Sequence, residues 1–177
     1  MKYCRLALIS LPLVAIWLCL LRISTAEIRH EALGDEEQLS VKVVTPKEMN
    51  ELLKANPNAV EMNSTRTYIE GRSLHPRGRS MITYTLGTGR QTGDDVVATD
   101  SSTNDYDDLT TLKVTMRYPS GGGTGATITY VEINVYQSNS NGKAYVTSGG
   151  IGQTSIVVVV EAYKTYYFDF YSWVYGK

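Results

Sequence analysis

The chain has 177 residues, with 17 basic against 18 acidic side chains and 42% hydrophobic residues. That balance suits a globular protein and leaves no long basic stripe, so direct binding to a nucleic-acid backbone is not expected. Both cysteines, Cys4 and Cys19, fall in the first 26 residues, and the only histidines are His30 and His75, which leaves little for thiolate, zinc or imidazole chemistry.

Residues 1–26 start with Lys2 and Arg5, run through an apolar stretch at 6–21 and finish in Ser24-Thr25-Ala26. This is the layout of a secretory signal peptide cleaved after Ala26, and it predicts a secreted, extracellular protein. The apolar stretch is shorter than the roughly 20 residues of a spanning helix, so no membrane association is expected once the leader is gone. Cleavage removes Lys2, Arg5 and Arg22 and leaves 14 basic against 18 acidic residues, a formal net charge of −4. The remainder suits a single domain able to bury a core without disulfides.

Residues 27–78 read as an N-terminal extension. Residues 27–38 are charged and weakly apolar, as in a frayed terminus, and 40–44 have the composition of an edge strand. Thr45 as N-cap, Pro46 at the first helical position and Glu48 three residues after Thr45 predict a short helix over 46–55, stopped by Asn56-Pro57. Asn63-Ser64-Thr65 is a glycosylation sequon, expected on an exposed loop. Residues 71–78 form a turn-rich linker. Arg66, Arg72, Arg77, Arg79 and Arg90, with His75, make a diluted basic region suited to a solvated surface, a sulfated glycan or an acidic partner.

From 79 to 177 the pattern is all-β. Alternation predicts strands over 81–86, 96–99 and 109–118, with Leu112, Val114, Met116 and Tyr118 facing in, and a polar loop over 100–108. Residues 119–125 are a flexible Gly-rich connection. Residues 128–137 alternate again, and Asn141-Gly142 is a hairpin signal that predicts residues 143–147 pairing back. Gly149-Gly150-Ile151-Gly152 marks a second reversal. The valine-rich stretch 155–162 reads as a central strand buried on both faces. The last strand, 164–175, puts Tyr166, Phe168, Phe170 and Val174 on a core face and Tyr167, Tyr171, Trp173 and Tyr175 on an aromatic face. That second face serves either cross-strand packing or the binding of a sugar, an apolar molecule or a protein. Seven such strands predict an antiparallel β-sandwich or small barrel.

The chemistry-bearing residues are sparse. Gly149 to Gly152 lacks the lysine and the spacing of a phosphate loop, so it is read as a turn. Asp94, Asp95, Asp100, Asp105, Asp107 and Asp108 are the best calcium candidates, with Asp94, Asp105, Asp107 and Asp108 foremost, although the spacing fits no EF-hand. Glu132 and Glu161 are an example of a carboxylate pair on strands, and salt bridging or edge solvation explains them better than glycoside hydrolysis. No cofactor is expected, and the chain is read as non-enzymatic.

Residues 79–175 also resemble the insect multiprotein bridging factor 2 family. The resemblance is carried by ITYVEINV at 128–135, by SNGKAYVTSGGIGQTSIVVVVEA at 140–162, by the tyrosine-rich end with Val174-Tyr175-Gly176, and by the turn from Gly89 to Asp94. It implies a coactivator that bridges a DNA-bound nuclear receptor to the basal transcription machinery through protein contacts. It equally implies a leader-bearing product of haemolymph, salivary gland or venom. Together with the leader, it makes a secreted binding or effector protein of insect extracellular fluid the first expectation. The coactivator is the alternative, and a carrier of a small hydrophobic ligand the third. The partner is then a protein or a small molecule, and exposed edge strands permit a homodimer.

Overall fold

A computed structural model describes residues 45–69 and 79–177. The leader, the edge strand at 40–44, the linker at 71–78, and with them His30, Arg72, His75 and Arg77, lie outside the described residues.

Helix α1 spans Pro46–Ala55. Its N-terminus is closed by Glu48, whose Oε2 accepts from the Thr45 backbone N–H at 2.6 Å and from the Thr45 hydroxyl at 2.9 Å. That reach back to the cap satisfies a donor the helix itself leaves unpaired. The helix lies against the strand over Asp95–Tyr118.

Seven strands follow, in one antiparallel sheet: β1 Val60–Glu61, β2 Asn63–Tyr68, β3 Ser80–Leu86, β4 Asp95–Tyr118, β5 Ile128–Gln137, β6 Gly142–Gly149 and β7 Ile156–Gly176. The sheet folds on itself into a nearly closed barrel. Its axis is β7, which pairs with β4 along almost its whole length. The first part of β7 also pairs with β6, and the last part with β5. Beyond them, β6 pairs with β1 and β5 with β3, which pairs with β2. Because β1 and β2 are separated by Met62 alone, that segment carries the chain from one half of the sheet to the other and closes one side of the barrel.

Three expectations are corrected by this register. First, Asn141-Gly142 is not a hairpin tip. β5 pairs with β7 from Ile128↔Gly176 to Gln137↔Phe168, and β6 continues in the same direction from Gly142↔Ala162 to Gly149↔Ile156. β5, residues 138–141 and β6 are therefore one bent course along β7, and the hairpin lies at Gly149, between β6 and β7. Second, residues 100–108 are not a loop. They continue β4, paired with β7 from Asp100↔Ser172 to Asp105↔Tyr167. Third, 155–162 and 164–175 are one strand, β7. The sheet also reaches back into the expected extension through β1 and β2, so Asn63 sits on an exposed strand, opposite Thr85, and not on a loop.

All three long courses bend at one level. There β4 shifts register between Asp105 and Leu112, β7 carries Lys164 at φ 52°, and 138–141 form the bend between β5 and β6. Side chains of the 138–141 bend lock the corner. Asn139 Nδ2 donates to the Tyr163 and Lys164 carbonyls at 3.1 and 2.8 Å, while its Oδ1 accepts from the Asn141 N–H at 2.7 Å and from Gln137 Nε2 at 3.2 Å. Ser138 N–H donates to Thr165 Oγ1 at 3.0 Å, and Ser138 Oγ accepts from the Tyr166 N–H at 3.1 Å. Short polar side chains compete with ladder bonds in regular strands, and here they replace the ladder where it must break.

Away from the bend, even-numbered positions of β4 from Ala98 and of β7 face inward. Leu112, Val114, Met116 and Tyr118 meet Ile156, Val158, Val160 and Ala162 in one half, and Phe168, Phe170 and Val174 pack with Ile82, Ile133 and Val135 in the other. Gly142 has no room for a side chain, since a Cβ there would stand 2.7 Å from the Glu161 carbonyl and the Tyr84 hydroxyl. On the outside of the first half, Glu161 of β7 sits between Lys113 of β4 and Lys143 of β6 in register. Glu161 and Lys113 are both buried, and loss of water raises the pKa of the first and lowers that of the second. The Tyr163 hydroxyl donates to Glu161.

Candidate functional site: an aromatic outer face

In an antiparallel sheet, alternate residues of neighbouring strands share a face, and register decides which of them meet. On the outer face of the second half, β5 and β7 bring Tyr130 opposite Tyr175, Glu132 opposite Trp173, Asn134 opposite Tyr171 and Tyr136 opposite Asp169. Tyr130 and Tyr175 stack with centroids 5.8 Å apart, Tyr136 meets Tyr171 edge-on at 6.0 Å, and Tyr171 stacks on Trp173 at 6.5 Å. Five rings thus share one outer face, as a stacked pair and a group of three. Tyr171 is 42% exposed, and Tyr130, Tyr136, Trp173 and Tyr175 are half-buried.

Two guanidinium groups cap the surface. Arg79 lies 4.9 Å from the centre of the Tyr136 ring and Arg90 lies 4.1 Å from that of Tyr175. Both are within the range at which a cation is held by a ring face. Arg90 is aimed by the turn that precedes β4. Its Nε donates to Asp94 Oδ1 at 2.7 Å and its Nη2 to the Asp94 carbonyl at 2.9 Å. Asp94 is itself buried, and its Oδ2 accepts from the Gln91 N–H at 2.8 Å and from the Thr129 hydroxyl at 2.9 Å. The Gln91 N–H, and after it the Arg90 and Thr129 donors, hold the Asp94 carboxyl below its ordinary range despite burial. Between the rings, Glu132 accepts from Asn134 Nδ2 at 3.0 Å, and Asn134 Oδ1 accepts from the Thr83 hydroxyl at 2.6 Å. The polar groups are thus tied to one another, and the rings are left to face outward.

The residues expected in a site are only partly brought together. Tyr171, Trp173 and Tyr175 share this face, whereas Tyr167 is 1% exposed and offers no surface. Burial raises its hydroxyl to about 12. Of the acidic set, Asp94 is the anchor of Arg90, while Asp105, Asp107 and Asp108 are spread along β4, and no cluster of three or more metal-ligating side chains occurs among the described residues. Glu132 and Glu161 lie in different halves of the barrel. Asn141 and Gly142 belong to the corner. Gly149, Gly150 and Gly152 form the β6–β7 turn, all at positive φ. Tyr130 and Tyr136 fall on one face of an alternating strand, and that they complete the aromatic face is a matter of register. Arg79 and Arg90 appeared only as members of a basic region.

No curated protein and no solved structure matches the chain. A family model does: that of the family described as Transcription activator MBF2, over residues 88–176. The matched region begins just before Arg90 and takes in β4 to β7, and so most of the aromatic face. A transcription activator works where genes are transcribed, and the match therefore overturns the expectation of a secreted, extracellular protein drawn from residues 1–26. On this match, which spans half of its length, the chain belongs to the MBF2 transcription activator family.

Proposed function

We propose that the protein is a non-enzymatic transcription coactivator that bridges other proteins, and that the aromatic outer face is one of its contact surfaces. The family supports a bridging role. The observation that carries the choice of surface is the set of five rings on one outer face, the stacked pair Tyr130–Tyr175 and the group Tyr136–Tyr171–Trp173, with Arg90 over Tyr175 and Arg79 over Tyr136. Tyrosine, tryptophan and arginine are the residues that most often dominate binding energy at protein interfaces: the rings bury large area with little loss of side-chain freedom, and the guanidinium adds a fixed fork of donors. The near balance of charge over the chain favours protein over DNA as the thing contacted.

The test is a reporter gene in cells lacking the endogenous protein, supplied with the full chain or with Tyr171→Ala/Trp173→Ala. Wild-type protein raises transcription, and the double variant, at equal soluble level, falls to half of that or lower. Equal output from the two removes the aromatic face from the account. No activation by the wild type removes the coactivator role.

A further inference from the structure

The corner of the barrel carries a second surface. Where β2, the 138–141 bend and β7 meet, a groove of about 600 Å³ is lined by Arg66, Lys143 and Lys164 together with Tyr163, Asn141 and Gly142. None of its lining residues is acidic. Arg66 is fixed in place: its Nε and Nη2 donate to the Ser140 and Gly142 carbonyls at 3.2 and 3.1 Å, and its Nη1 to Ser64 Oγ at 2.8 Å. A guanidinium has five N–H donors in a rigid fork, so two remain for a ligand. Lys143 pairs with Glu61 at 3.3 Å, with both side chains about half exposed, 47% and 49%, and lies 6.0 Å from the centre of the Tyr145 ring.

Lys164 is the informative member. It is the sole non-glycine residue at positive φ among the described residues, at 52°. Glycine or asparagine fits that conformation with less strain. The conformation is held from outside the residue, by Asn139 Nδ2 on its carbonyl at 2.8 Å and by Thr111 Oγ1 accepting from its N–H at 3.2 Å. The fold thus keeps a lysine where a glycine would sit more easily, and that lysine lines the groove beside a fixed guanidinium. Local strain of this kind is retained where the side chain is needed.

We infer that this groove binds a carboxylate-rich segment of a partner protein, with Arg66 as the oriented donor and Lys164 and Lys143 as its flanking charges. The inference rests on the bridging role and gives it a second contact of different chemistry: rings at one face, cations at the corner. In a chain whose formal net charge is −1, a lining of three cations and no carboxylate, with Glu61 reached only by Lys143 at its edge, selects for the opposite sign.

The experiment is a titration of fluorescein-labelled oligoglutamate with the full chain, read by polarisation, with inorganic phosphate as competitor. Wild type binds, and raised salt weakens binding because the contacts are exposed and screened. Lys164→Gly weakens it about two- to fivefold, the effect of one exposed charge pair, while its melting temperature stays within a few degrees because backbone strain is relieved. Lys164→Arg retains the affinity. An unchanged affinity in Lys164→Gly, or no binding by wild type, overturns the inference. So does phosphate binding with the same variant sensitivity in the absence of peptide binding, which makes the groove a small-anion site. Tyr171→Ala/Trp173→Ala leaves peptide binding intact, so loss of one surface is read independently of the other.

Discussion

Replacing Asn139 by alanine distinguishes a barrel corner from a hairpin tip. At a solvent-exposed tip the change is nearly neutral. In the corner it removes four hydrogen bonds: two donated by Nδ2 to the Tyr163 and Lys164 carbonyls, at 3.1 and 2.8 Å, and two accepted by Oδ1 from Asn141 N–H and Gln137 Nε2, at 2.7 and 3.2 Å. A net value near 1 kcal/mol each would give four, but the site is only half-buried and water replaces some of the partners, so the expected loss is about 1–3 kcal/mol. Urea unfolding followed by far-UV circular dichroism measures it as a lower midpoint at an unchanged slope. The clamp on the Lys164 carbonyl adds a second, sharper expectation. Without Asn139, the left-handed conformation at Lys164 has lost its support, so Lys164→Gly should stabilise the Asn139→Ala background more than the wild type, with a coupling of about 0.5 kcal/mol or more. A loss below about 0.5 kcal/mol for Asn139→Ala, or strictly additive effects in the cycle, refutes the corner as described.

Gly149→Ala should cost about 2 kcal/mol or more by the same unfolding assay, since φ is 71° and the new Cβ runs into the Ser155 carbonyl. Asp94→Asn should lower the melting temperature near neutral pH and abolish an acid-side transition. The Asp94 pKa is depressed in the fold, so its stabilisation is fully present above the ordinary carboxyl value of 3.8 and is lost as pH falls through the lower folded value. A wild type and an Asp94→Asn variant with parallel melting curves between neutral pH and pH 3 would contradict the anchoring role. The same variant releases Arg90 from its ion pair, and reduced tyrosine stacking in the near-UV spectrum should report the loss of its position over Tyr175.

Much of the barrel was legible because burial leaves a period of two. The alternation at 81–86, 112–118 and 128–137 states a face as well as a strand, and the valines of 156–162 state a strand covered on both faces. What misled was composition without partners. Residues 100–108 are serine, threonine, asparagine and aspartate with the single ring of Tyr106, the composition of a loop, and their pairing with 167–172 of β7 makes them strand. They need no apolar row on the outside, because they lie at an edge where one flank pairs and side chains face water. Asn141-Gly142 carried the strongest hairpin signal and sits at a bend instead, since whether a chain reverses or merely turns a corner is decided by what lies across from it. Of the aromatic face, Tyr171, Trp173 and Tyr175 follow from alternation alone. Tyr130, Tyr136, Arg79 and Arg90 join only through register and through the Asp94 turn, neither of which is written in spacing.

The claim that a ring surface on the barrel's outside carries the protein's activity is tested most directly at Trp173. Transcription from the reporter is to be measured for the full chain bearing Trp173→Phe or Trp173→Ser, each at matched soluble level and melting temperature. Trp173→Phe keeps a ring against Tyr171 and should keep most of the activation, while Trp173→Ser should lose most of it. Activation by Trp173→Ser equal to that of the wild type would contradict the account.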